Sequence, residues 1–180
     1  MKKTLSFTLL FAAILLAFPP QSFSENGVIK LCSALQDENT YKKNKKNSLK
    51  YIIAGKDGWL FRTKMDLKDD FALSDWSKMS FARLVKAFKY NGTDLAVIML
   101  PTRGLIGHKS LLPPYSKNYN HQKAMKSYLQ MIEDMAVSGI IMADMSGVDQ
   151  VDDYFLVRDN HWTAEGAKFS AERMAKALKL

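Results

Sequence analysis

The chain has 180 residues, of which 47% are hydrophobic and 24% charged, and it carries a formal net charge of +8. Its length sets a ceiling of one domain with a real core, and its composition is that of a globular protein rather than a disordered one. The positive charge is densest at Lys42, Lys43, Lys45, Lys46 and Lys50, a run with no interleaved aromatics of the kind that stack bases, so no nucleic-acid partner is expected.

Lys2 and Lys3 precede an uncharged apolar run, Leu5 to Phe18, which Pro19 and Pro20 end. Ser22 and Ser24 put small residues where a signal peptidase reads, so residues 1–24 are expected to be a signal peptide cleaved before Glu25. The run is shorter than the roughly 18 to 20 apolar residues a bilayer crossing needs. A periplasmic protein with no membrane span after cleavage follows. In that compartment the lysine run is either a solvated face or an attractor for an acidic polysaccharide or lipid headgroups. Cys32 follows Ile29, Lys30 and Leu31, without the small residues of a lipoprotein signal. A lone cysteine in an oxidising compartment is a buried thiol, an intermolecular link, or half of a bridge whose partner is elsewhere.

No repeat or low-complexity tract interrupts the remainder. Tyr51 to Ile53 and Trp59 to Phe61 are β-prone runs flanking Gly55-Lys56-Asp57-Gly58, which predicts a hairpin. Phe81, Leu84, Val85 and Phe88 recur at helical spacing; Ser74 or Asp75 can cap the start, and Asn91-Gly92 the end. Leu95 to Leu100, closed by Pro101, reads as a strand covered on both faces. Thr102 to Tyr119 is expected to be a long functional loop. Met125, Tyr128, Leu129, Ile132 and Ala136 mark a second helix ended by Gly139, and Ile140 to Ala143 a second buried strand. A last helix begins near Thr163, a competent N-cap. This alternation predicts an α/β fold with a mainly parallel sheet. Ligands in such sheets sit beyond the carboxyl ends of the strands.

The segment before the last helix, Tyr154 to Thr163, is the richest in chemistry. Asp159 and His161 are two apart, and in an extended segment they point to the same side. The carboxylate can then orient the imidazole as a general base toward a hydroxyl. Ser146, after the second strand, and Ser110, in the long loop, carry no nucleophile-elbow pattern and are read as turn formers. Arg103, just beyond the first strand, either binds a uronate carboxylate with two hydrogen bonds or ties down the carbonyls of its own loop. His108 and His121 have no partner spacing and are read as surface residues; Trp59 and Trp162 are read as packing residues. No metal-ligand cluster is visible, and no cofactor is expected.

The stretch Asp159-Asn160-His161-Trp162-Thr163-Ala164-Glu165-Gly166-Ala167 resembles the D-x-H-W-[ST]-x-x-G-A segment of the alginate O-acetyltransferase family of AlgX and AlgJ type. Gly55-Lys56-Asp57-Gly58-Trp59-Leu60-Phe61-Arg62 and Pro101-Thr102-Arg103-Gly104-Leu105 extend the resemblance in the same order. It implies an SGNH-hydrolase-like three-layer sandwich over residues 25–180, truncated before the nucleophile segment. Asp159 and His161 would assist a serine that passes acetyl groups to hydroxyls of mannuronate residues, with that serine downstream of the matched block. The resemblance also implies that Cys32 pairs with a downstream cysteine, and so is a free thiol in this chain. Two functions stay open. One is O-acetyl transfer to an acidic polysaccharide such as alginate; the other is non-catalytic binding of an exopolysaccharide alongside periplasmic assembly proteins.

Overall fold

The computed structural model describes residues 51–180. The expected leader, Cys32 and the lysine run lie outside the described residues. Strand β1 (Ile52–Ala54) pairs antiparallel with β2 (Leu60–Arg62), placing Ile53 opposite Phe61. The turn between them, Lys56–Gly58, has Asp57 at φ 53° and Gly58 at φ 81°. Aspartate and glycine are the residues that enter this left-handed region most readily, which is why the hairpin is legible in the sequence. Helix α1 (Thr63–Asp66) follows at once, and its buried Asp66 carboxylate accepts from the Arg62 backbone N–H at 2.7 Å and from Arg62 Nη2 at 2.8 Å.

Helix α2 (Asp75–Tyr90) is capped by Ser74, whose hydroxyl accepts from Ser77 N–H, and stops at Asn91 with Gly92 at φ 70°. Strands β3 (Ala96–Val97) and β4 (Ile141–Met142) pair in parallel. Between them lie α3 (Arg103–Gly107), a 3-10 turn (His108–Ser110), α4 (Tyr115–Asn118) and α5 (His121–Val137). Asn120 caps α5 and Gly139, at φ 88°, ends it. After β4 come a 3-10 turn (Val148–Gln150) and α6 (Ala164–Leu178), capped by Thr163.

Two expectations need correction. The strand read over Leu95 to Leu100 is reduced to two paired residues, with Ala96 exposed and Leu100 47% exposed. A strand is covered only where neighbours exist, and among the described residues the mainly parallel sheet is the single β3–β4 pair. The stretch Thr102 to Tyr119, read as a loop, is largely helical. Pro101, just before the stretch, and Pro114 within it sit ahead of α3 and α4, where a missing N–H costs nothing.

The main core gathers Leu105 of α3, Tyr128, Met131 and Ile132 of α5, and Ala143, Met145, Val148 and Tyr154 from the chain between β4 and α6. Full burial of each large apolar side chain contributes about 1.5–3 kcal/mol. A smaller cluster of Val85, Met135 and Ile140 joins α2 to α5 and β4. Tyr154 is fully buried, its hydroxyl 2.7 Å from that of Ser170 on α6. Gly166 lies so close that a Cβ there would fall on the Tyr154 carbonyl oxygen. Helix α6 therefore fixes the chain at the first residue of the segment that carries the site.

Candidate functional site

Phe155 and Trp162 form an antiparallel bridge, Leu156 N–H donates to the His161 carbonyl at 3.0 Å, and Asp159 N–H donates to the Leu156 carbonyl at 3.1 Å. Asp159 and His161 thus sit on a tight reverse turn, not on the extended segment expected from their spacing. They meet nonetheless, because the Asp159 carboxylate folds over its own turn. One oxygen, Oδ1, accepts from Asn160 N–H at 2.6 Å, from His161 N–H at 3.4 Å and from the His161 ring at Nδ1, 2.8 Å away. Short acidic side chains bond locally in this way, and that habit, not strand geometry, brings the pair together.

A carboxylate can only accept, so Nδ1 carries the proton and the lone pair of a neutral ring lies on Nε2. The His161 side chain is 75% exposed, and among the described residues Nε2 makes no hydrogen bond. A reacting hydroxyl has access to it. The hydrogen bond from His161, reinforced by that from Asn160, holds the Asp159 carboxyl below the usual carboxylate range. Any stability from this contact is present above the ordinary carboxylate pKa and is lost as pH falls through the lowered one. Carboxyl-carbon NMR is expected to find Asp159 titrating below the ordinary carboxylate range, and moving back toward that range in His161→Ala. An unchanged midpoint in that variant would mean the pair is not coupled.

Arg103 stands behind this turn. Its side chain is 3% exposed. Nε donates to the Leu60 carbonyl of β2 at 2.8 Å, Nη1 to the Leu156 carbonyl at 2.8 Å and also to that of Asp159, and Nη2 to that of Val157. One face of the guanidinium lies 4.6 Å from the Trp59 ring centroid. Burial pulls its pKa down, opposed mainly by the charge of Asp66. With four of five donors committed and almost no exposed surface, Arg103 is not disposed to meet a uronate carboxylate. It ties down carbonyls, and they belong to segments more than forty residues away.

Neither serine weighed from the sequence is hydrogen-bonded to His161. Ser146 turns onto Asp144, its N–H 2.9 Å from Oδ1 and its hydroxyl 3.0 Å from Oδ2; Ser110 closes the 3-10 turn after α3. Trp59 packs, stacked on Phe61 with centroids 5.6 Å apart and with the Gly107 backbone against its ring. Trp162 is 42% exposed. His108 and His121 are not isolated: their rings stack with centroids 3.5 Å apart, and His121 Nε2 lies 3.0 Å from the Leu105 carbonyl. They line a groove of about 1040 Å³ with Asp149, Glu133 and Lys126. Burial and the neighbouring His121 lower the pKa of His108. Among the described residues no group of His, Cys, Asp and Glu could hold a metal ion, and no helix is long and apolar enough to cross a membrane.

Residues 52–180 match the family model described as an SGNH hydrolase-like domain, acetyltransferase AlgX. The chain is 32% identical over 152 residues to the alginate biosynthesis protein AlgX of Pseudomonas aeruginosa, covering 83% of this chain and 32% of that protein. It is 29% identical over 161 residues to AlgX of Pseudomonas syringae pv. tomato, covering 88% and 34%. A solved structure from a structural and functional characterization of Pseudomonas aeruginosa AlgX superposes with a TM-score of 0.72 at 31% identity, covering 83% of this chain and 36% of that one. The chain spans about a third of the length of the relatives it matches.

Proposed function

The chain belongs to the family of SGNH hydrolase-like AlgX acetyltransferase domains, and on that premise we propose that it supplies the Asp–His half of an acetyl-transfer site acting on an alginate-like polysaccharide in the periplasm. The observation that carries this reading is the contact between Asp159 Oδ1 and His161 Nδ1 at 2.8 Å, with Nε2 left open. The nucleophile is a serine on a segment corresponding to the two-thirds of the relatives' length that this chain does not match. His161 Nε2 takes the hydroxyl proton as the serine oxygen attacks the acetyl carbonyl, and returns it to the departing donor. In the second half a sugar hydroxyl gives its proton to Nε2 and attacks the acetyl-serine, and the serine recovers the proton. Asp159 holds the tautomer and stabilises the imidazolium in both halves. Cys32 would pair with a cysteine of the same unmatched segment.

A base without nucleophile or oxyanion hole leaves most of the barrier in place. The 180-residue chain alone is therefore expected to hydrolyse p-nitrophenyl acetate at background rate, and to become active when joined to a polypeptide carrying the serine segment. Activity of the chain alone that disappears in Ser146→Ala would overturn this assignment. A joined protein that binds polysaccharide yet never turns over an acetyl ester would favour the non-catalytic reading.

A further inference from the structure

We infer that Arg103 is a positioning residue for the acid–base pair: its buried guanidinium fastens the turn carrying Asp159 and His161 to the β1–β2 hairpin, and so sets where the imidazole stands. The inference rests on the proposed role of that pair. Three observations converge on it. The guanidinium reaches the carbonyls of Leu156, Val157 and Asp159, three of four consecutive residues entering the turn, and that of Leu60 on β2. Its position is itself imposed, by the Trp59 ring at 4.6 Å and the Phe155 ring at 5.8 Å. Residue 103 opens α3, whose next residue, Gly104, rests against the Asp66 carbonyl of α1 without room for a Cβ.

A planar fork suits this task and an ammonium does not. Carbonyls that converge in a turn repel one another, and a single delocalised cation with donors in fixed directions satisfies four of them at once. Lysine in the same place would bring charge but a single point of donation. The turn would keep its Leu156–His161 and Asp159–Leu156 backbone bonds and the long 3.4 Å bond from Leu60 N–H to the Val157 carbonyl, yet lose the donors that fix its orientation on the hairpin. Asp159 would then be freer to leave the ring, and an imidazole without a fixed Nδ1 acceptor divides between two tautomers.

The test uses the full chain and NMR in three versions: unmodified, Arg103→Lys, and Val85→Ala, which removes packing between α2 and α5. In the unmodified chain the Arg103 guanidinium protons are expected to exchange slowly; rapid exchange overturns the inference whatever the variants do. In Arg103→Lys the ¹⁵N shifts of His161 are expected to show loss of the Nδ1–H tautomer, and the Asp159 titration to move up into the ordinary carboxylate range. Val85→Ala is expected to lower the melting temperature while leaving both signatures unchanged. If Arg103→Lys also lowers only the melting temperature, Arg103 serves the fold and not the pair. If Asp159 and His161 are uncoupled in the unmodified chain, the acid–base reading fails and the positioning role of Arg103 is overturned with it, a result distinct from a failure seen only in Arg103→Lys.

Discussion

Replacing His161 by alanine in the protein joined to its serine segment is expected to abolish turnover of an acetyl ester, lowering kcat by on the order of 10⁴ or more. The ring is the described group placed to accept a proton beside a reacting hydroxyl, because its Nε2 is open to solvent while Nδ1 is held by Asp159. Asp159→Asn is expected to cost nearly as much, about 10³ to 10⁴ in kcat. Its effect has a different origin. An amide can offer an N–H toward Nδ1, which then becomes the acceptor and forces the proton onto Nε2, the atom that must take one up. Neither change is expected to alter the melting temperature by more than a degree or two, since both side chains are exposed. Steady-state kinetics on p-nitrophenyl acetate with a parallel melting curve check both, and an active His161→Ala would remove the pair from the chemistry.

The largest effect on stability is expected from Gly104→Ala. The new Cβ would fall on the Asp66 carbonyl oxygen, which is backbone and cannot rotate away. Helix α3 cannot slide off either, because Arg103 beside it is tied to four carbonyls on two segments. Overpacking that no side chain can relieve costs about 3 kcal/mol or more, a fall in melting temperature of about 10 °C in a domain of this size. Gly147→Ala is the comparison. It has φ 77° but nothing within 4 Å of a Cβ, so only backbone strain of about 1 kcal/mol is expected. Equal losses in the two variants would mean that α3 is not wedged against α1.

What the sequence made visible is what is decided locally. The hairpin announces itself through Asp57 and Gly58, and the long helices through Ser74 and Thr163 at their starts and Gly92 and Gly139 at their ends. Asp159 and His161 were legible for the same reason, although a turn and not a strand joins them. What stayed hidden depends on partners distant in the chain. The task of Arg103 is defined by Leu60 and by residues 156–159, and nothing around position 103 encodes them. His108 and His121 are thirteen positions apart and meet only because α3 packs on α5. The small helices between Thr102 and Tyr119 escaped because four or five residues are too few to show a period.

The three hydrogen bonds that gather at Asp159 Oδ1 all come from the next two residues. A pair closed within one turn is assembled when the chain folds, and its orientational entropy is spent at that point. Under the proposed function, a serine segment would have to order only the serine and the groups that face its oxyanion, leaving more of the docking free energy for affinity and for effective molarity at the reacting carbonyl.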